Sequence, residues 1–309
     1  MRKRYVVLLA AGLALAVPAG ASAHGRGAAV ALDYRLVLHA SARTVPGVTA
    51  SILDGDRSLR LEIARGSLVV LGDLGEPMIR LTPGGAWVNR ASATAVAERL
   101  VPTGSGWQRV SSGSTFAWHE HRLSPPPYDG TMIGPAATFA IPVLVNGHRT
   151  QITGTFVRYA RPTVWPWLAA AVVTFVAIAC TLRFRRDLRS GVTTTLGAVA
   201  GLAALTTLAA FGAADAPNGR VSWAPLVAAG VLAAVVYGLL VRLKGIRRVQ
   251  LAGFLGLAAA VISLSYLSIF WHGVVISRLS GMTSRGLLVA GIVAGAVATV
   301  SAFTLEEHG

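Results

Sequence analysis

The sequence predicts an exported antiparallel β-sandwich of the immunoglobulin-like kind, followed by an all-α transmembrane bundle of about five helices. Three features carry this. The chain opens with a basic start and a short apolar run. Residues 24–162 show alternating hydropathy punctuated by Gly and Pro. Residues 163–309 hold apolar stretches about as long as a bilayer is thick.

Composition agrees. Of 309 residues, 53% are hydrophobic and 13% charged, against about 25% charged in soluble domains. The formal charge of +15 invites a nucleic-acid reading until it is mapped. Residues 24–162 hold 14 Arg against 9 acids. Residues 163–309 hold 11 basic residues, eight of them in two short clusters beside apolar runs. That placement is membrane topology, so no nucleic-acid partner is expected.

Residues 1–23 read as a signal peptide. Arg2-Lys3-Arg4 precede the apolar stretch from Tyr5 to Val17, and Ala21-Ser22-Ala23 forms a small-residue cleavage site. Cleavage after Ala23 leaves His24 as the first residue; cleavage after Ala21 is the competing possibility. Cys180 is the only cysteine, so the chain forms no internal disulfide, and its place in an apolar run reads as a buried, inert small hydrophobe.

Strand patterns fill residues 24–162. Ser58 to Ile63 alternates cleanly, Leu32 to His39 partly, and Ser67 to Leu71 is a short apolar run. Ala140 to Val145 and His148 to Tyr159 flank Asn146-Gly147, a pair suited to the positive φ angles of a type I′ turn.

The spans fall near 164–182, 191–213, 223–241, 250–270 and 286–305. At 1.5 Å rise, about twenty residues cross the roughly 30 Å hydrocarbon layer. The basic links Arg183–Arg189 and Arg242–Arg248 belong in the cytoplasm, which puts residues 24–162 outside and the C-terminus inside a multi-pass cell-membrane protein. The outer stretch Trp271 to Arg285 carries two Arg among apolar residues and is expected to lie flat in the membrane interface. No charged side chain or His lies well inside a span, which argues against a pump or proton-coupled carrier. Gly197-x-x-x-Gly201 and Gly291-x-x-x-Gly295 would let helices approach closely.

The sharpest chemical feature is Phe116-Ala117-Trp118-His119-Glu120-His121-Arg122-Leu123. On a continuous strand, His119 and His121 share one face about 6.6 Å apart, a spacing that suits one metal ion. Glu120 would face the other way, toward Arg122 or Arg149. The alternative is a sheet face where the histidines make ordinary hydrogen bonds. His24 adds a possible N-terminal amine and imidazole, and with His119 and His121 would make a nitrogen set suited to copper. His39 and His148 are spare candidates.

The first-residue His and the sandwich resemble the histidine brace of CopC-type copper proteins, which implies His24, His119 and His121 as metal ligands. The run from Val48 to Trp167 resembles a group of largely uncharacterised actinobacterial multi-pass membrane proteins, in which a β domain bearing a Trp-His-Asp-His-Arg motif precedes several helices. The matching residues are Trp118-His119-Glu120-His121-Arg122, with Gly75-Glu76-Pro77, Val88-Asn89-Arg90, Phe139 to Val143, Gly154 to Val157 and Trp165-Pro166-Trp167 in support. Glu120 stands where the group has Asp, and Leu123-Ser124-Pro125 replaces a further His-Trp pair. The resemblance implies the architecture and no particular activity.

No Gly-x-Ser-x-Gly elbow, Walker loop or His-Glu-x-x-His occurs, and the exported acids form no recognisable catalytic pair. The expectation is therefore a non-enzymatic integral membrane protein whose β domain binds copper. Its partners would be the lipid bilayer and other membrane proteins. The alternatives are a structural or protein-interaction module of the envelope without metal, and an accessory component of a transporter.

Overall fold

The computed structural model describes residues 30–40, 47–53, 58–125, 133–214 and 223–306. Residues 1–23, expected to be a signal peptide, and His24 lie outside the described residues. In chain order the β region comprises β1 (Ala31–Leu32), β2 (Tyr34–Leu38), β3 (Val48–Leu53), β4 (Ser58–Ile63), β5 (Leu68–Leu71), β6 (Pro77–Thr82) and β7 (Gly85–Asn89). A short helix, α1 (Ala93–Ala97), precedes β8 (Trp107–Ser111), β9 (Thr115–His119), β10 (Gly134–Val145) and β11 (His148–Arg158).

Two antiparallel sheets make up the sandwich. One runs β2-β11-β10-β5-β6-β7-β8 and the other β3-β4-β9. Period-two patterning decides which face turns inward. In β4, Leu59, Leu61 and Ile63 are fully buried while Ser58, Arg60 and Glu62 are half-buried. They join Leu68, Val70, Ile79, Leu81, Ile141 and Ile152 of the larger sheet in one core. Each such side chain stabilises the fold by roughly 1.5–3 kcal/mol. The expected hairpin forms between β10 and β11, with Asn146 at φ 50° and Gly147 at φ 84°.

The helical part contains α2 (Trp165–Phe184), α3 (Arg189–Ala214), α4 (Trp223–Arg242), α5 (Ile246–Ser265) and α6 (Gly281–Glu306). All five are long and apolar enough to cross a membrane. Helix α5 starts earlier than hydropathy suggests because Arg248 belongs to its first turn, and α6 because Ser280 caps it, accepting from Thr283 N–H at 3.1 Å.

Small residues set the packing. A Cβ on Gly256 would meet the Gly295 carbonyl at 2.6 Å, and one on Gly197 would strike the Ala252 backbone. Thr299 adds a hydrogen bond from α6 to the Gly253 carbonyl of α5 at 3.1 Å. The two glycine pairs singled out in the sequence thus include residues at close helix crossings. Helices α2 and α4 pack at the periphery, where Val172, Val173, Val227 and Val231 are exposed. Cys180, expected to be buried, sits on the outer surface of α2 because that helix buries little of itself.

One end of the bundle meets the β region. There β1 leaves the sandwich and pairs with β12 (Val274–Val275) from the link between α5 and α6. Trp167, Phe211, Ile269, Phe270 and Leu288 pack beneath this pair with Ala31 and Val275. Trp271 to Arg285, expected as an interfacial segment, packs in part against the protein itself. Its Val274 and Val275 are buried in protein, and its two Arg side chains bond backbone carbonyls. At the opposite end, Arg189 donates to the Leu182 carbonyl at 2.8 Å and Arg248 to that of Leu243 at 2.7 Å. The basic links thus cap helix C-termini, where a positive charge meets the negative end of the helix dipole.

Candidate functional site

The Trp118–Arg122 motif sits where three other segments converge. Strand β9 pairs with β4 up to Ser58 and His119. Trp118 points into the core, stacked on Phe116 with ring centroids 6.0 Å apart. The strand then stops. Glu120 becomes the cap of a 3-10 turn, His121–Leu123, and accepts a hydrogen bond from Arg122 N–H at 3.2 Å.

This corrects the expectation of one continuous strand. His119 ends β9 on its solvent side, whereas His121 opens the turn. The reason is Glu120, which is fully buried. A buried carboxylate must be paired and hydrogen-bonded, and the turn supplies the partners. Arg122 grips it with two donors at 2.7 and 2.8 Å, and Trp118 Nε1–H donates at 3.0 Å. Arg122 in turn donates to the Leu71 carbonyl at 3.0 Å, tying the turn to the end of β5. The expected pairing of Glu120 with Arg122 holds.

Two acids reach the motif from elsewhere. Glu98 follows α1 and accepts from the His121 N–H at 3.2 Å, with His121 Nδ1 2.5 Å from the same oxygen. Asp73, in the turn between β5 and β6, lies 3.0 Å from His121 Nε2. That turn is fixed by Glu76, which accepts from Ser92 Oγ–H at 2.7 Å and from the N–H groups of Thr94 and Leu74. A side chain on Gly72 would collide with Glu76.

The charges shape the titration. Burial lowers the His121 pKa, but Glu98, Asp73 and Glu120 outweigh it and raise it above its ordinary value. Burial and the neighbouring Glu120 raise that of Glu98. Burial also works to raise Glu76, yet hydrogen bonds from Ser92 and Thr94 prevail and hold it at about 2.

Glu98, Glu120 and His121 offer atoms within 4.8 Å of one another, a grouping that could hold a metal ion. The fit is poor. Both Glu120 oxygens are occupied by Arg122 and Trp118, and the guanidinium would repel a cation. Both His121 ring nitrogens face carboxylates, so ligation would cost two charge-assisted contacts. Of the expected brace, His24 lies outside the described residues, while His119 and His121 belong to different elements, the strand end and the turn. His39 hydrogen-bonds Thr155 at 2.7 Å on the far side of the larger sheet, and His148 is an exposed residue beside the hairpin turn. Glu98 and Asp73 were not foreseen, because nothing local in sequence links them to residues 118–122.

A second polar cluster joins the two parts of the molecule. Asp33, between β1 and β2, accepts from Arg161 at 2.7 and 3.0 Å and from the Gly273 N–H at 3.3 Å; His272 Nδ1 lies 3.2 Å away. Burial opposes ionisation of Asp33, but these donors, Arg161 foremost, hold its pKa below the usual carboxylate value. His272, in the link between α5 and α6, is thus a partner of the β region.

No protein-family model, curated protein or solved structure matches this chain.

Proposed function

We propose that the protein is a non-enzymatic, multi-pass membrane protein whose β-sandwich is an interaction module held outside the cytoplasm, and that the Trp118–Arg122 motif serves as its internal clasp. One observation carries this reading. The motif's polar atoms are taken up within the protein: Glu120 is fully buried and held by Trp118 and Arg122, and His121 is held by Asp73 and Glu98. Such a network secures a sheet end and leaves little for a ligand.

The proposed topology draws on the ends of the bundle. The β region packs against the start of α2 and α6 and the ends of α3 and α5, and both basic links lie at the other end. Positive links favour the cytoplasm, so the sandwich faces outward and the C-terminus inward.

The second reading is metal handling with copper on His24, His119 and His121. The closeness of Glu98, Glu120 and His121 favours some cation affinity there. A copper(II) titration of the full chain in detergent separates the two. The clasp reading expects the parent and a His119→Ala, His121→Ala double variant to respond alike. Tight binding by the parent that the double variant loses would overturn it in favour of copper.

A further inference from the structure

The outer face of the seven-stranded sheet has an unusual charge pattern. None of its seven strands contains Asp or Glu, while Arg35, Arg80, Arg109 and Arg149 stand at outward-facing positions of the alternation. One rung crosses six of those strands. Its register runs Arg149, Leu144, Val69, Arg80, Trp87, Arg109, each residue paired with the next. Five strand spacings make this rung about 24 Å long.

The far end of the rung is a cation–π stack. The Arg80 guanidinium lies 5.2 Å from the Trp87 ring and 4.9 Å from that of Trp107, and Arg109 lies 5.6 Å from Trp87. Arg80 Nε is buried with no hydrogen-bond partner among the described residues, so ring faces alone meet that side of its charge. Arg109 is aimed by the Gly84 carbonyl at 2.7 Å and remains exposed, as does Arg149 at the other end of the rung. Trp107 is 36% exposed on edge strand β8. Stacking fixes these side chains before any ligand arrives, which lowers the entropy cost of binding.

We infer that this face binds an acidic polysaccharide, a sugar ring stacked on the exposed Trp107 and its carboxylates met by Arg109 and Arg149. The inference rests on the reading that the sandwich is an outward-facing interaction module. Charge complementarity selects an anionic ligand, and the exposed aromatic surface selects one with flat apolar faces between its charges. A lipid surface fits less well. The stack lies at the opposite edge of the sheet from β2 and β11, the strands nearest the bundle, and five strand spacings separate β8 from β11.

The test uses the full chain in detergent with an alginate oligomer as the uronate probe, neutral dextran as control, and phosphatidylglycerol vesicles as the competing anionic surface. Alginate should bind, weaken as salt rises, and exceed dextran. Trp107→Ala and Arg149→Glu should each weaken it roughly tenfold. Both positions are exposed, and an unchanged melting transition confirms the fold. No alginate binding by the folded parent, equal binding to dextran, preference for vesicles, or indifference to both substitutions would overturn the inference. Those outcomes leave the module reading standing, because its failure appears as tight copper binding instead.

Discussion

The sandwich and the helical bundle solve the same burial problem with opposite side chains. The sandwich fills its core with Leu, Ile and Val and encloses an ion pair, Glu120 with Arg122. The bundle brings helices together over Gly and Ala, with no comparable ion pair among its described residues. The difference follows from the solvent. Water rewards the sandwich for hiding large apolar side chains. Lipid gives helices no such reward, so close backbone contact holds them together. The same contrast ranks the expected effects of mutation.

The largest effect should come from Glu120→Ala. It leaves Arg122 buried without its carboxylate, at a cost of about 3–5 kcal/mol. Denaturant unfolding of the full chain in detergent, followed by proteolysis of the sandwich, should show the loss there and not in the helices. Next is Gly256→Leu, which drives a side chain into the Gly295 carbonyl. It should destabilise the bundle by about 1–3 kcal/mol while the sandwich melts as before. Equal damage to both parts would break the comparison. Gly147→Ala places a side chain at φ 84° and should cost about 1–2 kcal/mol, read as faster amide exchange across β10 and β11.

Smaller effects follow pH. His121 and Glu98 both hold their protons more tightly folded than unfolded. The stability this provides is complete below their ordinary values of 6.5 and 4.5 and is lost as pH rises through the folded values. Glu76 has the opposite sign: its contribution is present above 4.5 and is lost as pH falls toward about 2. Melting of the sandwich should therefore peak in mild acid. His121→Asn should flatten the alkaline side of the peak, and Glu76→Gln the acid side. The smallest global effect belongs to Asp33→Asn. It should leave melting nearly unchanged but speed exchange at Ile276 N–H, which bonds the Val30 carbonyl beside the β1–β12 pair.

Features written in local periods were readable from the sequence. The alternation of Ser58 to Ile63, the Asn146-Gly147 turn and the five apolar stretches each state their structure within a few residues. The site was only half readable. Glu120 and Arg122 stand two apart, so their pairing was foreseeable. The break in the strand at Glu120 was not, since it arises from the burial of Glu120 with Trp118 and Arg122, the latter anchored on the Leu71 carbonyl 51 residues away. Glu98 joins His121 across 23 residues and Asp33 joins His272 across 239, and no local signal spans such gaps.

A double-mutant cycle of Glu120→Gln and Arg122→Met, read by denaturant unfolding of the sandwich, tests the clasp most directly. The two losses should be strongly non-additive, with a coupling of about 1–3 kcal/mol. Additive losses would contradict the clasp, because the pair would then not act as one unit.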